Sequence, residues 1–516
     1  MKKYLALSIL LLIAVSSCNK GFLDLNDPTR VFSEDLYKDA NGINLAVNGA
    51  YASLQDIYGR SATGGTGLYI FGDVASDNST SVSTGAGIGD FEFFITAPEN
   101  VNLLSMWRSM YKCIARCNTI LDRIDAVTMD QALKDRYKAE VKFIRALTYF
   151  NAVRIWGGVP LITKELKTVN EALAYGRETE ANVYALIEQD LKDAESATTG
   201  LPISYPAATT PTSGLGRATR GAAKALLGKV YLNQRKFDLC KAKLAELLPV
   251  GSNPYGYDLL PNFADVFSIS NELNKEIIFS VRYSKTGLGT GSAFFNWFAP
   301  TESGSAIAKV GGSNGFNTPR KSLFNEYPKV LPSNPATALT TSLDKRRDAS
   351  FGRFPLAVTN ENAVTTYYSK KYVDDQMSIG LDADNDWIVI RYADVLLMYA
   401  EAENEINGPA IAKDYVNLVR RRAYGNTTGD LTAAQILNPA SLRTAIETER
   451  KLELNMEGHR WFDLVRTDRA VQVMNAHFIA DQIKIGTTVI SIGANNKLFP
   501  IPLKEIQLNP KIIPNP

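Results

Sequence analysis

Apolar residues recur every three to four positions over much of this 516-residue chain, the period of a helix with one buried face. In AEVKFIRALTYFNAVRIWGG, Phe143, Leu147 and Phe150 share a face, and Gly157-Gly158 stop the run. In RATRGAAKALLGKVYLNQRKFDLCKAKLAELL, Ala223, Leu227, Val230 and Tyr231 form one stripe. QRKFD is then a short polar break before a second helix. RYADVLLMYAEAENEINGPAIAKDYVNLVRRRA reads as another pair: Ala393, Leu396, Leu397 and Ala400 line the first helix, and Val416, Val419 and Ala423 the second. Gly408-Pro409 makes the turn between them. NGINLAVNGAYASLQDIY predicts a further helix near the N-terminus. The pattern therefore predicts a mainly α-helical scaffold built from helix pairs.

Leu227-Gly228 followed by Tyr231, with Cys240 on the next helix, fits the tetratricopeptide template, in which small residues let paired helices approach closely. Two regions depart from the period. Residues 59–100 and 283–390 are long, irregular and rich in small and polar residues, yet they carry LYIFGD, DFEFF, SAFFNWFAP and NGFNTPR. Disordered loops are poor in aromatics. Long loops in compact proteins are commonly functional. These regions are expected to form an ordered, loop-rich lobe.

The N-terminus changes the picture. Lys2 and Lys3 precede an apolar run from Leu5 to Val15, which is too short to span a bilayer. Val15-Ser16-Ser17-Cys18 then has the form of a bacterial lipobox. Residues 1–17 read as a signal peptide and Cys18 as an acylated N-terminus, with 18–516 as a single domain. Without Lys2 and Lys3 the chain carries 54 basic and 54 acidic residues, which argues against nucleic acid as a partner. Three further cysteines, Cys113, Cys117 and Cys240, leave at least one free thiol. Cys113 and Cys117, one helical turn apart, are expected to be small core residues. Only two histidines and no Cys-x-x-Cys nearly exclude a zinc site. Asp382, Asp384 and Asp386 have the spacing that opens an EF-hand loop, but Trp387 stands where glycine is needed and Ala393 where the closing glutamate is needed. No metal or other cofactor is expected.

The densest charge lies in ERKLELNMEGHRWFDLVR, residues 449–466. As a helix capped by Ser441 and ended by Gly458, its Ala445, Leu452 and Met456 face the core. Glu449, Glu453 and Glu457 then line one face and need cations, for which Arg450, Arg460 and Arg466 are the candidates. A glycosidase needs two carboxylates set apart across the sugar bond. Nothing in the sequence requires that gap, so a structural ionic clasp is the favoured reading.

ERKLELNMEGHRWFDLVR, RYADVLLMYAEAENEIN, KFIRALTYFNAVRIWGGVPLIT, MWRSMYKCIARCNTILDRI and the closing LFPIPLKEIQLNP together resemble the SusD/RagB family of outer-membrane nutrient-binding lipoproteins. The resemblance implies a SusD-like fold of tetratricopeptide-like helix pairs with an irregular ligand-binding lobe. It implies a lipid-anchored protein of the outer membrane, facing the cell exterior. Such a protein binds an oligosaccharide and delivers it to a SusC-like TonB-dependent transporter without catalysis. The competing reading is a tetratricopeptide lipoprotein that scaffolds protein partners in the envelope. A neutral sugar calls for a flat aromatic platform and a few polar partners. Trp297, in FFNWF, is the expected platform, since Trp107, Trp156 and Trp461 fall in the helical signatures. Asp77 is the preferred polar contact, with Asp73, Asn78 and Arg320 as further candidates.

Overall fold

The computed structural model describes residues 35–515 apart from 61–63, 83–86, 206–213, 215 and 331–337. The helices expected from the period are present, among others that it did not single out. The longer ones of the first half are α1 (Ala40–Tyr58), α2 (Val101–Arg123), α3 (Gln131–Trp156), the unanticipated α4 (Glu180–Ala194), α5 (Arg220–Asn233) and α6 (Phe237–Ala245). After the lobe come α7 (Tyr392–Asn407), α8 (Pro409–Tyr424) and α9 (Pro439–Glu453), then α10 (Arg460–Arg466) and α11 (Ala470–Ala480), which the period did not predict. Side-chain caps start several of them. Asp39 accepts from the Gly42 amide at 2.8 Å, and Asp130 from that of Leu133 at 2.8 Å.

Neighbours in sequence pack as neighbours in space. Each helix from α1 to α6 lies against the next, α7 packs on α6, and α8 and α9 close on α7. This is the stacking of a repeat scaffold. The α5–α6 pair shows why a glycine sits at its centre. A Cβ on Gly228 would stand 2.2 Å from the Leu244 methyl, so only glycine permits this approach. Cys113, Cys117 and Cys240 are free thiols buried in these packed faces. One apolar core runs from Ile43 to Ile512 and includes Trp107, Trp156 and Trp461. A smaller cluster gathers Leu323, Phe324, Tyr327, Phe351 and Tyr367 around Leu452 and Met456.

Four short strands tie the lobe to the scaffold: β1 (Ser79–Thr80), β2 (Ile277–Val281), β3 (Thr318–Pro319) and β4 (Trp387–Arg391). Antiparallel β2 and β4 pair Val281 with Trp387 and Ile277 with Arg391, which carries Arg391 into the interior. The β1–β3 pair joins the two loop regions, with Thr80 opposite Thr318. FFNWF forms a single helical turn, Phe294–Phe298, and all five residues are buried. The three aspartates of LDADNDW serve the neighbouring loop. Asp382 accepts from the amides of Gly287 and Gly291, Asp384 from that of Lys285, and Asp386 from that of Tyr283.

Candidate functional site

The charged segment is the first place to look for chemistry, and its geometry is that of a clasp. The helix α9 is capped by Asn438, not Ser441, and stops at Glu453. Glu457 therefore lies in the following turn, where Met456 and Gly458 take positive φ. Glu449 receives Arg346 at 2.6 Å and Arg420 at 2.7 Å. Glu453 receives Arg346 at 2.8 Å, Arg391 at 2.5 Å and also Arg422. Glu457 receives Arg391 at 2.8 Å and Lys371 at 2.6 Å. Lys371 also donates to the carbonyls of Glu453 and Asn455, closing the open end of α9. The arginines within the segment serve other acids, contrary to the pairing expected from sequence. Arg450 binds Asp394 and Asp463, Arg466 binds Glu401 and Asp463, and Arg460 binds Asp77.

A general acid must hold its proton near neutral pH. Burial alone would raise the Glu453 and Glu457 carboxyls, but the surrounding cations hold both below the usual carboxylate range. His459 is lowered as well, to about 3, by its burial and by the Lys229 ammonium, which leaves it neutral. Neither carboxyl, nor the neutral His459 ring, is set up as a general acid near neutral pH.

The lobe offers a surface instead, though not from the residues expected. Trp297 is 3 % exposed, enclosed by Tyr69, Phe294 and Phe316 with ring centres 6.0 to 6.4 Å away. It presents no open face in this structure. Asp77 takes Arg460 at 2.7 and 3.0 Å and Lys451 at 2.8 Å. Burial opposes its charge, but the two cations hold it far below the normal range. Asp73 is fully buried and accepts the Gly458 amide at 3.0 Å and the Asn317 amide at 3.3 Å, and burial lifts its pKa to about 7. Asn78 is also buried, and its carbonyl accepts from the Arg320 amide at 3.0 Å. The Arg320 side chain donates to the Ser79 carbonyl at 2.9 Å and pairs with Glu92. These polar groups form the seam between lobe and clasp, and their hydrogen bonds point inward. Cys18 and the signal peptide lie outside the described residues.

Phe316, beside Trp297, is a lobe ring that does reach the surface. It is half-buried, it rests on Trp297, and its edge lies against Gly65. Its backbone is pinned by a 2.6 Å bond from its amide to the Trp297 carbonyl, and Gly315 is held to Ala299 at 2.8 Å. Gly315, at φ +64°, leaves room for Val82 and Thr301, whose atoms would crowd any Cβ there. Exposed Val82 and Thr301 thus gather at the rim beside the ring, and exposed Glu302, next in the chain, accepts from the Thr365 hydroxyl at 2.8 Å. Asn296 sets the shape beneath: its amide donates to the carbonyls of Val310 and Gly312 at 2.7 Å and accepts from the Leu381 amide at 2.8 Å. The ensemble is an apolar ring on a rigid aromatic stack, edged by hydroxyl, carboxylate and backbone groups. Sequence reasoning chose the largest ring and passed over Phe316, whose signal was a single aromatic inside the Gly-rich run GGSNGF.

Comparison with known proteins places this geometry. SusD-like protein P25 of Formosa agariphila is 30% identical over 98% of this chain and 96% of its own. The chain belongs to the SusD family. The family model described as SusD family matches residues 355–516. A second, described as starch-binding associating with outer membrane, matches residues 22–232. A SusD-like protein of Bacteroides ovatus is 25% identical over 72% of this chain and 67% of its own. Among solved structures, a laminarin-binding SusD-like protein superposes with a TM-score of 0.74 at 28% identity, covering 93% of this chain and 100% of its own. The surface glycan-binding protein A of Bacteroides thetaiotaomicron in complex with laminarihexaose shares the SusD fold with a TM-score of 0.71 at 22% identity, covering 92% of this chain and 99% of its own. The mainly helical SusD fold and the association of this family with glycan binding and the outer membrane are established on these grounds.

Proposed function

We propose that this protein is a cell-surface lipoprotein that binds an oligo- or polysaccharide on the lobe rim and delivers it, unaltered, to a SusC-like TonB-dependent transporter. Phe316 is the stacking platform and Trp297 its support from below. Thr301, with Glu302 next to it in the chain, offers polar groups for sugar hydroxyls, and acylated Cys18 is the anchor. The observation that carries the reading is the half-exposed Phe316 ring, fixed by backbone bonds at the edge of an aromatic stack. A pyranose has an apolar face that suits such a ring. Glu453 and Glu457, held charged by the cations around them, support a structural rather than an acid-catalytic role for the clasp.

The test is calorimetric titration of wild type and Phe316→Ala with laminarin and laminarihexaose, the ligands named for two structural relatives, alongside starch and xylan. Loss of the ring removes about 1 kcal/mol of stacking and roughly 1–2 kcal/mol of buried area. The variant should bind about ten- to a hundredfold more weakly with an unaltered melting curve. Unchanged affinity for every polysaccharide that wild type binds removes Phe316 from the site. Release of reducing ends from any of them overturns the non-catalytic reading.

A further inference from the structure

A second feature with the chemistry of sugar recognition lies against α1. A cavity of about 300 Å³ opens between α1 and β2, at the small end of the range for ligand pockets. Its wall is apolar where Leu54, Phe279 and Val281 line it and polar where Asn44, Asn48 and Gln55 do. The orientation of the three carboxamides follows from their partners. Gln55, 9 % exposed, donates through Nε2 to the carbonyls of Arg282 at 2.8 Å and Thr290 at 3.4 Å. Both partners are acceptors only, so the amide nitrogen must face them and Oε1 is left to the cavity. Arg217 Nη2 donates to Asn44 Oδ1 at 2.7 Å and to Asn48 Oδ1, and the Tyr137 hydroxyl reaches Asn44 Oδ1 at 3.1 Å. A guanidinium has only protons to give, so both asparagines turn their NH₂ groups outward. Among the described residues, neither Nδ2 nor Gln55 Oε1 has a hydrogen-bond partner.

Charge adds to the selectivity. Arg217 is neutralised by Glu140 at 2.8 Å, and Arg282 by Asp386 at 2.5 Å. The cavity therefore presents one fixed acceptor, two fixed donors and an apolar wall, with no unpaired ion. A carboxylate or phosphate would meet no unpaired cation here, and an alkyl group would leave the Gln55 carbonyl and the two NH₂ groups without partners. A ring with adjacent hydroxyls and one C–H face satisfies all of it.

We propose that this cavity is a second saccharide site, taking a short neutral sugar, with Gln55 Oε1 accepting a hydroxyl proton and Asn44 and Asn48 donating to neighbouring hydroxyl oxygens. It uses none of the residues of the lobe rim and stands independently of the reading given to Phe316. The experiment is saturation-transfer NMR with laminaribiose, cellobiose and maltose on Phe316→Ala, which removes the lobe platform, and on Phe316→Ala combined with Asn48→Trp. Asn48 is exposed, so an indole there fills the cavity mouth without entering the core. Asn44→Ala with Asn48→Ala in the same background removes the donors alone, and melting curves report folding. At least one disaccharide should give transfer in Phe316→Ala, weakened about tenfold or more by either cavity change. Absence of transfer from all three sugars in Phe316→Ala overturns the proposal. Transfer that survives Asn48→Trp in the folded protein overturns it equally.

Discussion

Glu453 touches three guanidinium groups, from Arg346, Arg391 and Arg422, and none of them was legible beside it in the sequence. The need for cations followed from three glutamates in nine residues. Their source did not, because Arg346, Arg391 and Arg422 come from other segments that only the fold brings close. Glu453→Gln keeps the shape but leaves buried positive charge unanswered, a change that costs about 3–5 kcal/mol in comparable sites. The expected result is a markedly lower melting temperature, with glycan affinity of the remaining folded protein unchanged; a variant that melts normally but no longer binds would return the segment to the functional site. Asp73 behaves oppositely with pH. Its folded pKa, near 7, lies above the unfolded value of 3.8, so the folded state holds the extra proton between them. That contribution is complete below about pH 4 and is lost as pH rises through 7, with about 1.4 kcal/mol of stability given up for each pH unit crossed between the two values. Thermal melts from pH 4 to 8 should show the stability of wild type relative to Asp73→Asn declining over this window; a constant difference refutes the assignment. Asp77, named from sequence as a sugar contact, is instead tied to Arg460 and Lys451, since an aspartate in a loop looks the same whether it caps a turn, pairs inward or meets ligand.

At the scale of elements, the helices were legible because one buried stripe repeating every 3.6 residues fixes both their existence and their inner face. Leu227, Val230 and Tyr231 on α5, and Leu396 and Ala400 on α7, lie in the core as the stripe requires. Ends were less legible. α9 stops one turn before Gly458 because Lys371 caps its carbonyls, and Lys371 belongs to a distant loop. The five-residue turn at Phe294–Phe298 is too short to show a period, so nothing local distinguishes a buried Trp297 from an exposed one. Gly228 is the position where packing and propensity oppose each other. Alanine would favour the helix by about 1 kcal/mol, yet its methyl would stand inside Leu244, an overpacking that costs about 1–3 kcal/mol. Gly228→Ala is therefore expected to unfold at lower denaturant concentration than wild type, and a stabilised variant would show that α5 and α6 can move apart.

For the whole molecule, the proposed anchor at Cys18 is tested by where the protein partitions. Cys18→Ser should leave the protein in the soluble or uncleaved fraction, while wild type sediments with outer membrane; equal partitioning would end the lipoprotein reading. Family and scaffold were legible from signature stretches that span nearly the full chain, whereas the site was not, because it is assembled from loops whose neighbours are set by tertiary contact. The seam that joins lobe to clasp has a further consequence. Asp73 is bonded to Gly458 and Asp77 to Arg460, across more than 380 residues of sequence. A chain synthesised N-terminus first presents the loop at 70–78 long before its partners emerge. That loop has no local substitute for Arg460, and closing so long a separation is slow. The seam between lobe and clasp is thus among the last parts of the molecule to form, and a chain cut short before residue 458 is expected to leave the loop at 70–78 without the partners that hold it.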